Sequence, residues 1–324
     1  VIEDMRSKNA GESATETLVL APRARMQSPR RRPFRVGGGA FWYVLPAATL
    51  ILVVIYLGVA YTGYVSVLDW DGLSPNPEFA GIDNYLRAFT DPVFWECLAH
   101  SAVYAVIVIP VNMAIGLTMA ILLTQRVFLS GVIKVIMFVP VVLSSAAIAV
   151  SFRELLGADG MLNQVLRAIG LGGLAQPWLA QTSTALYAIA LITVWATAGL
   201  NFILYQAALS QIDEDTIEAA QLDGAGKFRI VRSVIFPQLA GTHATLILLG
   251  VIGALRMFDI VFLTTRGGPA GATEFLATYI YRQTIDVFNA GYASALSILL
   301  LLIALVLTVV QLQMSRRRSE TVAW

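Results

Sequence analysis

The chain holds one cysteine, Cys97, and two histidines, His100 and His243. A single thiol makes no intrachain disulfide and no cysteine cage for a metal, and two imidazoles are too few for most histidine-led catalysis. Neither an HExxH helix nor a GxSxG turn occurs, so the zinc-protease and nucleophile-elbow patterns are absent. Gly224-Ala225-Gly226-Lys227-Phe228 glances at a phosphate loop. That loop needs glycine five residues before its Gly-Lys pair and Ser or Thr after it, where this chain has Gln221 and Phe228. No catalytic residue and no metal ligand is assigned. Two other sets remain. Arg256 and Asp259 stand three apart in an apolar neighbourhood, a spacing that predicts one helical face and a possible ion pair. Segment 212–237 carries Asp213, Glu214, Asp215, Glu218, Ala219, Ala220, Asp223 and Gly224, then a basic stretch from Lys227 to Arg232, and closes on Phe236-Pro237. Asp213 as N-cap, with acids in the first turn, predicts a short helix that Gly224 stops. Its small residues would let another protein approach closely. An ordinary amphipathic surface helix has the same pattern.

The elements that position these residues follow from composition. Of 324 residues 57% are apolar and 13% charged, with mean hydropathy +0.71. A soluble domain carries about 25% charge, so this chain cannot cover itself in water. Disorder, nucleic-acid binding and disulfide scaffolds are excluded. A helix needs about 20 apolar residues to cross the hydrocarbon core. Stretches 41–68, 97–125, 135–152, 168–212, 233–255 and 287–315 lack Asp, Glu, Lys and Arg. The fourth begins with a glycine-rich, loop-like part, so its helix is placed from about Ser183. The reading is an all-α polytopic membrane protein with six spans, at about 41–68, 97–124, 133–152, 183–209, 236–258 and 288–313.

Residues 22–35 contain six arginines and no acid, loop 69–96 is acidic, and Arg316, Arg317 and Arg318 follow the last span. The positive-inside rule then puts both termini in the cytoplasm. Residues 1–35 read as a disordered basic tail, 36–314 as the membrane domain with cytoplasmic loop 210–237, and 315–324 as a second basic tail. The 28-residue stretch 41–68 is too long for the core of a cleavable signal peptide.

Glu218-Ala219-Ala220, three residues, Gly224, nine residues, Val234 and then Phe236-Pro237 resembles the "EAA" loop of ABC importer permeases. Asp213 stands where that family commonly has proline, and Ile217 where it has tyrosine. Further stretches resemble the carbohydrate-type members, such as the maltose and glycerol-3-phosphate permeases: Phe79-Ala-Gly81-Ile-Asp83-Asn84-Tyr85, Gly160-Met-Leu-Asn163, Phe258-Asp259 with Gly267-Gly268-Pro269, and Gly291-Tyr292-Ala293-Ser294-Ala295. The resemblance covers roughly 41–313. It implies the type I importer permease fold in a bacterial or archaeal plasma membrane. It also implies a second homologous permease, two ATP-binding subunits (identical or different) and an extracytoplasmic binding protein. This chain would hold no cofactor, ATP and Mg being bound by the partners. Glu218, Ala219, Ala220, Asp223 and Gly224 would dock the ATPase.

Ionisable groups inside spans cost about 2.5–3.5 kcal/mol each on insertion scales and mark functional candidates. Arg256 and Asp259 are read as path residues, with a structural ion pair as the competing role. The resemblance adds Trp195, Thr197 and Asn201 on the fourth span, an aromatic face and an amide being suited to sugar C–H surfaces and hydroxyls. A lipid-facing Trp195 is the alternative. Asn112, Ser144 and Ser145 are weaker candidates, since small polar residues also serve helix packing. The expected function is translocation of a carbohydrate, a di- or oligosaccharide. A stand-alone secondary transporter or channel, an importer of another polar solute such as glycerol-3-phosphate, and a membrane enzyme are the rivals.

Overall fold

The computed structural model describes residues 39–124 and 128–321, with side chains for 43–124 and 128–314. The expected tail 1–35 lies outside these residues, as do Arg126 and the side chains of Arg316–Arg318. The described residues fall into two units that divide between Leu52 and Val53. The first contributes helix α1 (Gly39–Ile51).

The second unit continues through α2 (Leu57–Val65) and a two-residue hairpin that pairs Leu68 with Phe79 and Asp69 with Glu78. Helices α3 (Asp83–Thr90), α4 (Pro92–Thr124), α5 (Ser130–Val142), α6 (Ser145–Leu155), α7 (Met161–Ala168) and α8 (Ala185–Leu209) follow. Then come α9 (Glu214–Leu222), α10 (Lys227–Ile230), α11 (Phe236–Gln238), α12 (Ala240–Leu255), α13 (Asp259–Thr264), α14 (Leu276–Tyr281) and α15 (Ala290–Thr321). Four helical stretches are long and apolar enough to cross a membrane: Tyr43–Val65, Pro92–Thr124, Ala185–Leu209 and Ala290–Met314. Two bent pairs make the count six if each is one span.

Two of the six expected spans are bent. In the third, α5 and α6 meet at 100°. Pro140 lacks an amide donor, Leu143 turns extended, and Ser144 caps the next helix by accepting from the Ala147 amide at 3.2 Å. In the fifth, Lys227–Gln238 and Ala240–Leu255 meet at 68°, after a π-helical turn at Val231–Ile235 and next to Pro237. That span also ends at Leu255, not at 258. The second span begins earlier than 97, because Asp91 accepts from the Val93 amide at 2.9 Å and Pro92 suits the first helical position.

Glycines set how closely the helices pack. A Cβ on Gly116 of α4 would meet Asn201 Cβ of α8 at 2.7 Å and the Phe202 amide nitrogen at 2.9 Å. One on Gly250 of α12 would meet Ile109 at 2.6 Å, and one on Gly199 would overlap the Met137 carbonyl of α5. In lipid, where no hydrophobic force drives helices together, such close backbone approach is a main source of packing energy. Around these contacts one apolar core gathers Tyr104, Ile189, Ile192, Val261 and Phe275, and another Phe202, Tyr205, Ile235 and Leu239. Two asparagines pin the loops: Asn84 donates to the Ser66 and Leu68 carbonyls at 3.0 and 2.9 Å, and Asn163 to those of Gly157 and Gln176 at 2.9 and 2.8 Å.

Candidate functional site

The close approach of α4 and α8 leaves a cavity of about 460 Å³ against α12 and the start of α13. Asn112, Thr197, Asn201, Arg256 and Asp259 all line it, with Ser145, Tyr104 and Phe258. Its polar wall is built at helical spacing. Asn112 Nδ2 donates to Thr197 Oγ1 at 2.8 Å, Thr197 Oγ1 donates to the Thr193 carbonyl at 2.7 Å, and Asn201 Nδ2 to the Thr197 carbonyl at 3.2 Å. Asn112 is buried, and its Oδ1 has no partner within the described residues. An unsatisfied buried carbonyl costs about 1–3 kcal/mol.

Arg256 and Asp259 do not share a helical face. Helix α12 stops at Leu255, Arg256 caps it, and Phe258 takes φ −138°, ψ −64° before α13 starts at Asp259. The three-residue spacing pairs side chains only while the helix continues. The ion pairs among the described residues are Arg153–Glu154, Arg167–Asp159 and Arg282–Glu274, and the expected Arg256–Asp259 pair is not among them. Both side chains are exposed and open to the cavity. Phe258 stacks on Phe262 with centroids 5.0 Å apart, and Tyr281 closes the group at 4.7 Å from Phe262. This aromatic group escapes sequence reading because Tyr281 reaches it from α14, and of its three rings Phe258 lines the cavity. Trp195 lines no part of the cavity. It is 43% exposed and lies against Phe152, 5.1 Å between centroids.

The segment after α8 forms a second surface. Helix α9 starts where Asp213 Oδ1 accepts from the Asp215 amide at 3.1 Å. It closes with the Ala225 amide on the Ala220 carbonyl (3.0 Å) and the Gly224 amide on the Gln221 carbonyl (2.9 Å). This double closure requires a left-handed residue, and Gly224 supplies φ +79°. Ile217 and Ala220 pack against the core around Tyr205, while Glu218, Ala219, Asp223 and Gly224 stay exposed. Leu222 and Phe228 are 89% and 78% exposed, an apolar pair the sequence reading does not single out.

Residues 112–320 match the family described as binding-protein-dependent transport system inner membrane component. The chain belongs to that family. Over 283 residues it is 32% identical to a probable ABC transporter permease protein of Bacillus subtilis, covering 86% of this chain and 97% of that one. The lactose transport system permease protein of Rhizobium radiobacter is 31% identical over 90% of this chain and 98% of its own. The trehalose/maltose transport system permease protein of Thermococcus litoralis is 30% identical over 86% and 93%. In fold, this inner-membrane component matches a chain from the crystal structure of a bacterial ABC transporter involved in import of the acidic polysaccharide alginate. The TM-score is 0.74 at 21% identity, covering 86% of this chain and 95% of that one. Family membership sets aside the stand-alone secondary-transporter and channel readings.

The inner-membrane component also carries polar groups away from the cavity that sequence reasoning passes over. Asp91 accepts from Tyr279 and, at 2.7 Å, from Tyr292, and Arg87 lies 4.3 Å over the Tyr292 ring. Burial pushes the Asp91 carboxyl up, but the two phenols, the Val93 amide and the Arg87 charge together hold it below its ordinary value. Glu274 is buried and meets Arg282 at 3.3 Å. There burial outweighs Thr278, Arg282 and His100, and the carboxyl is raised. Both histidines join hydrogen-bonded groups: His100 Nδ1 lies 2.9 Å from the Glu274 carbonyl, and His243 Nδ1 lies 2.7 Å from the Tyr205 hydroxyl.

Proposed function

We propose that this permease subunit forms one half of the pathway of an ATP-driven importer for a di- or oligosaccharide. The observation that carries the reading is the cavity itself. It joins an amide wall (Asn112, Asn201), a hydroxyl (Thr197), two charges with no ion pair among the described residues (Arg256, Asp259) and an aromatic ring (Phe258) in one space. Sugars present both hydroxyls and C–H faces, so polar groups together with an aromatic ring suit them as a lining. The names of the lactose and trehalose/maltose relatives support the same class. The binding protein present in the alginate importer's crystal structure supports delivery by an extracytoplasmic partner.

Energy then comes from outside the chain. In this reading α9 sits in a cleft of an ATP-binding subunit that holds ATP and Mg, and a second homologous permease completes the pathway. Both termini lie on the cytoplasmic side of a bacterial or archaeal plasma membrane, in keeping with the arginine-rich ends. The test is reconstitution of the subunit with its partner permease, ATPases and binding protein in liposomes. Uptake of a sugar that the binding protein retains, dependent on ATP inside, is the expected result. Equal uptake without ATP or without binding protein would overturn the proposal.

A further inference from the structure

Helix α3 is tied to the membrane boundary at both ends. Near its start, Asn84 donates to the carbonyls of Ser66 and Leu68, just past the end of α2 at Val65. Beyond its end, Trp95 of α4 donates from Nε1 to the Phe89 carbonyl at 2.9 Å. From Thr124 back to Trp95, α4 rises about 44 Å at ~1.5 Å per residue. A bilayer with its headgroups is about 40–45 Å thick, so Trp95 stands at the headgroup level, and α3 with it.

The two faces of α3 differ. Asn84 and Ala88 are buried against the protein, whereas Ile82, Leu86 and Phe89 are each more than half exposed, at the i, i+4, i+7 spacing of one stripe. Phe79 and Trp95 extend this apolar patch. Phe94 joins its two parts, edge-on to Phe89 at 6.2 Å and to Trp95 at 5.3 Å. From Trp95 the exposed surface runs on down α4 through Ala99, Val103, Val106 and Pro110, an uncharged side of a spanning helix. Arg87 is turned onto the Tyr292 ring.

We propose that the Ile82–Leu86–Phe89 face of α3 lies in the headgroup layer with lipid acyl chains as its occupant, continuing the lipid-facing stripe of α4. Helix α3 is an in-plane float, not a docking surface for a protein. An amphipathic helix with an aromatic edge is the form that settles at this depth, and tryptophan at a span end marks the same layer.

The experiment places nitroxide labels at Leu86→Cys, Phe89→Cys and, as an aqueous reference, Leu73→Cys at the exposed hairpin tip. Cys97 is fully buried and stays. The labelled subunit is assembled with its partners in phosphatidylcholine–phosphatidylglycerol liposomes, and collision rates with oxygen and with a water-soluble nickel chelate are measured. The oxygen-to-nickel ratio at 86 and 89 is expected to exceed that at 73 by at least about threefold. A ratio equal to that at 73 would mean a face open to water, and shielding from both probes would mean a protein cover. Either overturns the proposal. Phe89 packs on Phe94, so if Phe89→Cys fails to assemble, Ile82→Cys with Leu86→Cys gives the same reading.

Discussion

Neutralising Arg256 or Asp259 separates a path residue from a structural one. Both open to the cavity and are not ion-paired with each other, so Arg256→Gln and Asp259→Asn leave no orphaned mutual partner and complex yield should be unchanged. If each holds a charge-assisted bond to substrate, worth about 1.5–3 kcal/mol, uptake falls roughly tenfold or more, and the Arg256→Asp/Asp259→Arg swap does not restore it. Wild-type uptake in both single variants would remove them from the path. Asp91 gives a pH prediction. Its carboxyl is held below 3.8 in the folded chain, so its stabilisation is present above that value and lost as pH falls through the lower folded value. Thermal melts of the wild type should drop with acid below about pH 4 by more than those of Asp91→Asn, which lacks this component. These residues differ in how legible they are. The charges stand out in an apolar sequence, but their relation depends on whether the helix continues past Leu255, and no residue there announces the stop.

At the scale of elements, α9 is the most legible part of the chain. An acidic cap, acids in the first turn and a glycine eleven positions on describe a helix wherever it sits, because capping is local chemistry. Gly224→Asp forces a Cβ into φ +79° with nothing within 4 Å to strike, a strain of about 1–2 kcal/mol. It also adds charge to the exposed face. Purified complexes should keep their spans folded and lose most binding-protein-stimulated ATP hydrolysis, or the ATPase itself. Glu218→Ala should have a smaller effect. Normal retention and stimulation in Gly224→Asp would make this loop a plain connector. The breaks in the third and fifth spans are far less legible. A charge-free run is selected by composition, which says nothing about direction, and Pro140 is the main mark of the 100° turn. Removing the Ser144 cap with Ser144→Ala should cost about 1 kcal/mol, read as a lower melting temperature of the complex without loss of the spans.

For the whole molecule, the burial pattern of α4 shows why sequence gives the spans but not their packing. Phe94, Cys97, Ser101, Tyr104, Val108, Asn112, Gly116, Ala120 and Leu123 form one buried stripe at three- and four-residue steps. In water that stripe would be an apolar row on a polar helix. In lipid the opposite face is equally apolar, so the period disappears from the sequence and only the small and polar residues hint at it. Orientation remains readable through arginine counts. Cysteines introduced singly are expected to react with an impermeant maleimide from outside at Asp83 and only after permeabilisation at positions 213–232. Outside labelling in 213–232, or inside labelling at Asp83, would reverse the topology.

The glycine contacts at 116, 199 and 250, of which Gly250 lines the cavity, separate what tolerates change around that space from what does not. A methyl group at any of the three meets its neighbour at less than 3 Å; at 116 and 199 that neighbour is backbone, so alanine there shifts a helix, whereas at 250 the Ile109 side chain must move. Leu200 and Leu249 line the same space and are 41% and 48% exposed. Trimming them enlarges the cavity at little structural cost. A variant library for altered cargo therefore belongs at the leucines, with the three glycines held constant.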